Sequence, residues 1–170
     1  LESSAKSPGK ILTVLNLDGL GEILDGFDGG EGWAKDPIQG LQTKSGEELA
    51  QTRLHSDFYY DFNLEKHYPK AKVTGTEKLG ASEVYVVKAD PNTTMYFDKQ
   101  SGHMLRLDRL LTTSAGKFMT QNFFDDFREV DGVKHPFAFR QVANGMDFLF
   151  KITGIKQNVE INDSIFSRPK

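Results

Sequence analysis

Two adjacent carboxylates, Asp125 and Asp126, stand among phenylalanines in "NFFDDFREVDGVKHPFAF", residues 122–139. A carboxylate pair can hydrolyse a glycosidic bond when both groups aim into one cleft. Other chemistry-bearing residues are sparse. His55, His67, His103 and His135 form no metalloprotease helix motif and share no short metal-ligand spacing. Ser45, Ser82, Ser101 and Ser114 sit at caps or turns. None lies in a Gly-x-Ser-x-Gly nucleophile elbow. "DGLGEI" lacks the third glycine and the helix of a phosphate-binding loop. With no cysteine there is no thiolate catalysis, no disulfide and no Cys-based zinc site. No metal or other cofactor is expected. A net charge of −3 without a Lys/Arg cluster leaves no electrostatic footprint for nucleic acid.

Whether the aspartates cooperate depends on the strands that carry them. Turn signals recur at short intervals between runs rich in β-branched and aromatic residues. Strands are predicted at 10–17, 20–28, 81–90, 93–98, 103–112 and 117–130, with two more around the Asp131-Gly132 and Asn144-Gly145 turns. That is about eight strands in a sequence-adjacent antiparallel meander. A two-residue turn at Asp131-Gly132 makes opposed residues sum to 263, and one at Asn144-Gly145 makes them sum to 289. Phe124 then faces Phe139, Asp126 faces Phe137, Phe139 faces Phe150, Phe137 faces Ile152 and Gln141 faces Phe148. Successive strand side chains point to opposite sides. Phe124, Phe137, Phe139, Phe148, Phe150 and Ile152 therefore share one apolar face, while Asp125, Arg140, Asp147 and Lys151 share the other. Asp125 and Asp126 cannot cooperate, and Asp126 is expected to pair with Arg128 at the rim of the apolar face. A β-bulge at the aspartates would change this locally.

One segment breaks the β pattern. "SGEELAQTRLHSDFYYDF", residues 45–62, opens with Ser45 and Glu48 at capping-box spacing, and Ala50, Leu54, Phe58 and Phe62 recur every four residues. A single amphipathic helix is expected there, covering one face of the sheet. "FDGGEGW", residues 27–33, reads as a tight turn that returns Trp33 to the sheet. The thirteen phenylalanines suit a core and a lipid-like site equally well. One helix is too little cover for so wide a sheet, so either the sheet curls onto itself or part of its apolar face stays open to a ligand or partner. No apolar run approaches the ~20 residues that span a bilayer. The start, "LESSAKSPGK", reads as the exposed front of a processed chain.

From "EILDGFDGGEGWAKDPIQGLQTKSGEELAQTRLHSDFYYDF" onward the chain resembles a known family. "VYVVKAD", "MYFDKQSGHMLRLD", "FFDDFREVDGVKHPFAFR" and the closing "VEINDSIFSRP" match in the same order. Together they resemble the LolA-like outer-membrane lipoprotein-carrier superfamily, in its branch of secreted or lipid-anchored bacterial proteins. The resemblance implies an unclosed, strongly curved antiparallel half-barrel with a helical lid around an apolar cavity. It also implies a periplasmic or cell-envelope location, and it brings no catalytic residue. Relatives carry a leading helix and one or two strands before the part matched by "SPGKIL", so residues 1–170 are expected to be one domain lacking N-terminal elements.

The expected function is non-catalytic binding of a hydrophobic ligand, such as acyl chains of a lipid or lipoprotein, with transient membrane contact. The expected wall is Phe124, Phe137, Phe139, Phe148, Phe150 and Ile152, with Leu54 and Phe58 on the lid. A reading from another class is an envelope sensor or assembly module whose sheet binds a protein segment.

Overall fold

The computed structural model describes residues 1–114 and 116–170, and they divide into two compact units, each built from separate stretches of chain. The first comprises residues 1–67, 112–114 and 160–170. It opens with an antiparallel meander of β1 (Glu2–Lys6), β2 (Lys10–Leu17), β3 (Gly21–Phe27), β4 (Gly32–Asp36) and β5 (Gly40–Thr43), paired in that order. The β3–β4 turn is built by Asp28, whose carboxylate accepts the N–H groups of Gly30 and Glu31 at 2.8 Å each. Trp33 does return to the sheet, opposite Gly26. Its indole lies where a side chain on Gly26 would stand: a Cβ there would come within 2.3 Å of Trp33 Cε2. Glycine is thus required at this position by a close approach. Trp33, Phe27 and Phe166 are buried, and the indole Nε1–H donates to the Phe166 carbonyl at 3.0 Å. Phe166 ends a 3₁₀ turn, Asp163–Phe166, whose Asp163 carboxylate takes Lys6 from β1 and Lys10 from β2 at 2.6 Å each.

The helix is shorter than its apolar spacing implied. α1 runs Gly46–His55; a 3₁₀ turn at Tyr60–Asn63 and the short α2 (Leu64–His67) follow. Ser45 occupies the N-cap position, but its side chain makes no capping bond. Gly46 turns the chain there with a left-handed φ of 54°. The chain leaves the helix because Ser56 Oγ donates back to the Arg53 carbonyl at 3.0 Å. Asp57 then accepts the Tyr59 N–H at 2.9 Å. Such local bonds compete with helix continuation. Ala50, Phe58 and Phe62 are exposed, and the stripe they were expected to form with Leu54 does not exist. Leu49 is the residue that meets β4, over Gly32.

The second unit comprises residues 68–111 and 116–159. Its strands are β6 (Lys72–Leu79), β7 (Ser82–Asp90), β8 (Thr93–Asp98), β9 (Met104–Thr113, of which the last two residues are counted with the first unit), β10 (Gly116–Val130), β11 (Val133–Ala143) and β12 (Met146–Lys151). They form a seven-stranded antiparallel sheet in sequence order, with β6 and β12 at its edges. Val84, Val86 and Tyr96 pack with Leu79 and Leu105. Val87, Met95 and Leu107 are opposed on consecutive strands, the last two buried. Neither sheet closes into a barrel, as the resemblance implied, and the helices among the described residues are few and short. The described residues hold twelve strands, not eight. β1, β4, β5 and β6 were missed because "ESSAK", "GWAKD", "GLQT" and "KVTGTEKL" lack clear apolar alternation. The first of these lies in the stretch read as an exposed front.

Candidate functional site

The strands around the two aspartates have the predicted register. Val130 opposes Val133, Arg128 opposes His135 and Phe124 opposes Phe139, all summing to 263. Phe139 opposes Phe150 and Gln141 opposes Phe148, summing to 289. The Ile152 N–H donates to the Phe137 carbonyl at 2.8 Å, which extends that ladder beyond β12. Phe124, Phe137, Phe139, Phe148, Phe150 and Ile152 are therefore brought together on one face of β10–β12. Phe139 and Phe150 stack with ring centroids 4.5 Å apart, and Phe148 tilts against Phe150 at 6.3 Å. Phe137 is buried, Phe124, Phe139, Phe150 and Ile152 are half-buried, and Phe148 is 38% exposed.

Asp126 is the irregular residue. Its φ of 53° is left-handed and it makes no ladder pair with Phe137, yet the register on both sides is unchanged. The strand bends here without the extra residue of a bulge. The Asp126 N–H donates to Asp125 Oδ1 at 2.7 Å, while the Asp126 carboxylate takes Arg128 Nε at 2.9 Å and also its Nη2. The guanidinium hydrogen bond and its positive charge hold the Asp126 carboxyl below its ordinary range. The Arg128 guanidinium also lies 4.7 Å over the Phe137 ring, where a cation is attracted to the aromatic face. The two carboxylates therefore have separate partners, Asp125 the Asp126 N–H and Asp126 the Arg128 guanidinium.

At the other end of the aromatic face stands a polar pair that the sequence reading did not single out. Gln141 Nε2 donates to Asn122 Oδ1 at 2.8 Å, directly across the ladder. The buried Thr120 Oγ1 donates to the Arg109 carbonyl at 3.2 Å. The signal was available, because the same sum of 263 places residue 122 opposite 141. The face is thus apolar in its middle and polar at both ends. The opposite face carries the charged set expected of it. Asp125, Arg140, Asp147 and Lys151 are exposed, and Arg140 faces Asp147 at 3.5 Å while lying 4.8 Å over Phe123. Arg106, 5.2 Å over the same Phe123 ring, is clamped by Asp108 through two bonds of 2.7 Å.

Leu54 is half-buried in α1 of the first unit. Phe58 lies beyond the end of that helix, 48% exposed, with its N–H on the Pro8 carbonyl at 3.0 Å. The histidines have local partners. His103 stacks on Phe127 at 4.2 Å, and His135 meets Gln157 at 2.7 Å. His67 meets Asp57 at 2.7 Å and stacks on Tyr60 at 5.4 Å. The Tyr59 N–H, the Asn63 amide and His67 lower the Asp57 carboxyl below its usual range. This dyad closes the turn after α1, and the neighbouring Ser56 hydroxyl is directed to the Arg53 carbonyl rather than to the imidazole. Among the described residues no group of three or more His, Cys, Asp or Glu side chains is placed to hold a metal ion. No helix among them is long and apolar enough to cross a membrane.

No protein-family model and no curated protein matches the chain. Solved structures do. The chain is similar to a LolA superfamily protein from Nitrosomonas europaea with a TM-score of 0.54 and 11% identity, over 97% of this chain and 79% of that one. The chain has a LolA-like fold. An outer membrane lipoprotein-sorting protein domain from Vibrio parahaemolyticus is more loosely similar, with a TM-score of 0.43 and 15% identity, over 88% of this chain and 79% of the other. The LolA-like fold is the one that "FFDDFREVDGVKHPFAFR" and its companion motifs implied. It assigns no residue a role, so the site rests on the aromatic face itself.

Proposed function

We propose that this protein binds a hydrophobic ligand, an acyl chain of a lipid or lipoprotein, on the aromatic face of β10–β12 in the cell envelope, without catalysing a reaction on it. The observation that supports this reading is the contiguous set Phe124, Phe137, Phe139, Phe148, Phe150 and Ile152 on strands next to a sheet edge. A polar pair bounds it at one end and an ion pair at the other. That pattern suits an amphiphile, with chain along the phenylalanines and headgroup at a polar end. The LolA-like fold supports the envelope location and the non-catalytic role.

The energetics are compatible with exchange. Each buried methylene contributes about 0.8 kcal/mol, so a 14-carbon chain gains on the order of 10 kcal/mol before ordering costs. A bilayer offers the same chain a comparable refuge, and one myristoyl group holds a protein to a membrane with only about 10⁴ M⁻¹. A modest apolar face can therefore trade chains with a membrane without an energy source.

The test is titration of delipidated protein with a fluorescent long-chain fatty acid, alongside native mass spectrometry of protein purified from its host. Saturable binding is expected, and Phe139→Asp should weaken it by at least about tenfold, because it sets an unpartnered charge in the middle of the face. A folded Phe139→Asp protein with unchanged affinity places the ligand elsewhere. A wild-type protein that takes up neither fatty acid nor acylated peptide overturns the reading.

A further inference from the structure

β12 is an open edge, and its sequence is a palindrome in chemical type. "MDFLFKI", residues 146–152, reads apolar, acid, Phe, Leu, Phe, base, apolar about Leu149. The bond from Ile152 N–H to the Phe137 carbonyl fixes which backbone groups are already used. In an antiparallel ladder hydrogen-bonded and non-bonded pairs alternate. Residues 146, 148, 150 and 152 therefore bond inward to β11, and Asp147, Leu149 and Lys151 present their N–H and C=O groups outward. Leu149 is 67% exposed and Met146 is 53% exposed, an apolar burden unusual for an edge. The chain beyond β12 does not return along this edge: Gln157 Nε2 reaches the Val130 carbonyl and His135, at the far end of the β10–β11 hairpin. The opposite edge, β6, is defended by a register shift between Val73 and Gly75 and by Lys72 and Lys78.

We propose that β12 pairs with β12 of a second copy of this chain, antiparallel about a twofold axis through Leu149, to join two seven-stranded sheets into one. This register uses the outward backbone groups fully. Leu149 faces Leu149, and Asp147 faces Lys151 in both directions, each as a pair that exchanges two backbone bonds. The side chains agree with the backbone. Asp147 of one copy lies beside Lys151 of the other while keeping its own Arg140 at 3.5 Å. On the other face Phe148 of each copy meets Phe150 of the second, so the aromatic faces run on across the axis. A shift of one residue in either direction would move the acids out of register with the lysines. Charge complementarity therefore selects a copy of the same strand over an arbitrary peptide. The pairing does not depend on what the aromatic face binds.

The test is sedimentation-equilibrium ultracentrifugation of the full chain at rising concentration, with three variants. Wild type should approach twice the monomer mass. Leu149→Pro removes one outward N–H where an edge strand tolerates proline, and should remain monomeric with an unchanged far-UV spectrum. Lys151→Asp should also remain monomeric, since like charges then oppose each other. The double variant Asp147→Lys/Lys151→Asp restores the complementarity and should recover the dimer. A wild type that stays monomeric at millimolar concentration overturns the proposal. So does a dimer that survives both single variants, or a double variant that stays monomeric while folded. Each outcome is independent of fatty-acid titration, so failure here leaves the ligand reading standing, and the reverse.

Discussion

Asp126 is a single left-handed torsion in the longest strand, and its carboxylate is held by Arg128. Non-glycine residues reach this conformation at a cost, which Asp and Asn bear better than most. Asp126→Val should therefore lower the melting temperature by several degrees, and Asp126→Asn by clearly less, because only the second keeps a side chain suited to the torsion. Equal losses would show that the ion pair to Arg128, not the backbone, is what matters. Asp163 offers a pH-dependent counterpart. Hydrogen bonds from Lys10 and Lys6 pull its carboxyl down from 3.8 to about 2. A folded-state value below the unfolded one contributes stability that is complete above the unfolded value and is lost as pH falls through the folded one. The first unit should therefore lose denaturant resistance between pH 3.8 and about 2. Asp163→Asn should lack that part of the acid limb, and equilibrium urea midpoints along the pH series would decide it. The pairing of Asp126 with Arg128 is legible in the sequence, but its torsion has no local signature. Asp163 meets its lysines across more than 150 positions of chain.

At the scale of elements, turn chemistry proved more informative than apolar pattern. Asp131-Gly132 and Asn144-Gly145 take the positive φ angles that two-residue hairpins require, so the registers on either side of them could be read in advance. The whole aromatic wall followed from those two turns. Helical periodicity was a poorer guide. Leu54, Phe58 and Phe62 have helical spacing, but Ser56 and Asp57 turn the backbone out of the helix between them. Polar strands such as β1 and β6 went unseen because no apolar face marks them, their pairing being imposed by a neighbouring strand. The cross-strand pair of Gly26 and Trp33 is a contact that spacing hints at and geometry explains. Gly26→Ala pushes a methyl into the indole and should destabilise the first unit by about 1–3 kcal/mol, as overpacking of a buried site does. An unchanged denaturation midpoint would mean that the indole can move aside at little cost.

For the whole molecule, the motif order made the fold recognisable before any contact was known, and the LolA-like architecture agrees with it. What linear reading could not reveal is that residues 160–170 return to the strands at the start of the chain. That closure is made by groups far apart in sequence, the Trp33 indole and the Phe166 carbonyl among them. Trp33 is also the one tryptophan of the protein. Its emission is therefore a label, present without engineering, for the first unit and for the docking of the last eleven residues upon it. A melt followed by that emission reads one unit. A melt followed by backbone dichroism is weighted toward the larger sheet of the other. Two such curves recorded on one sample would reveal whether the two units share a single cooperative transition or unfold in turn.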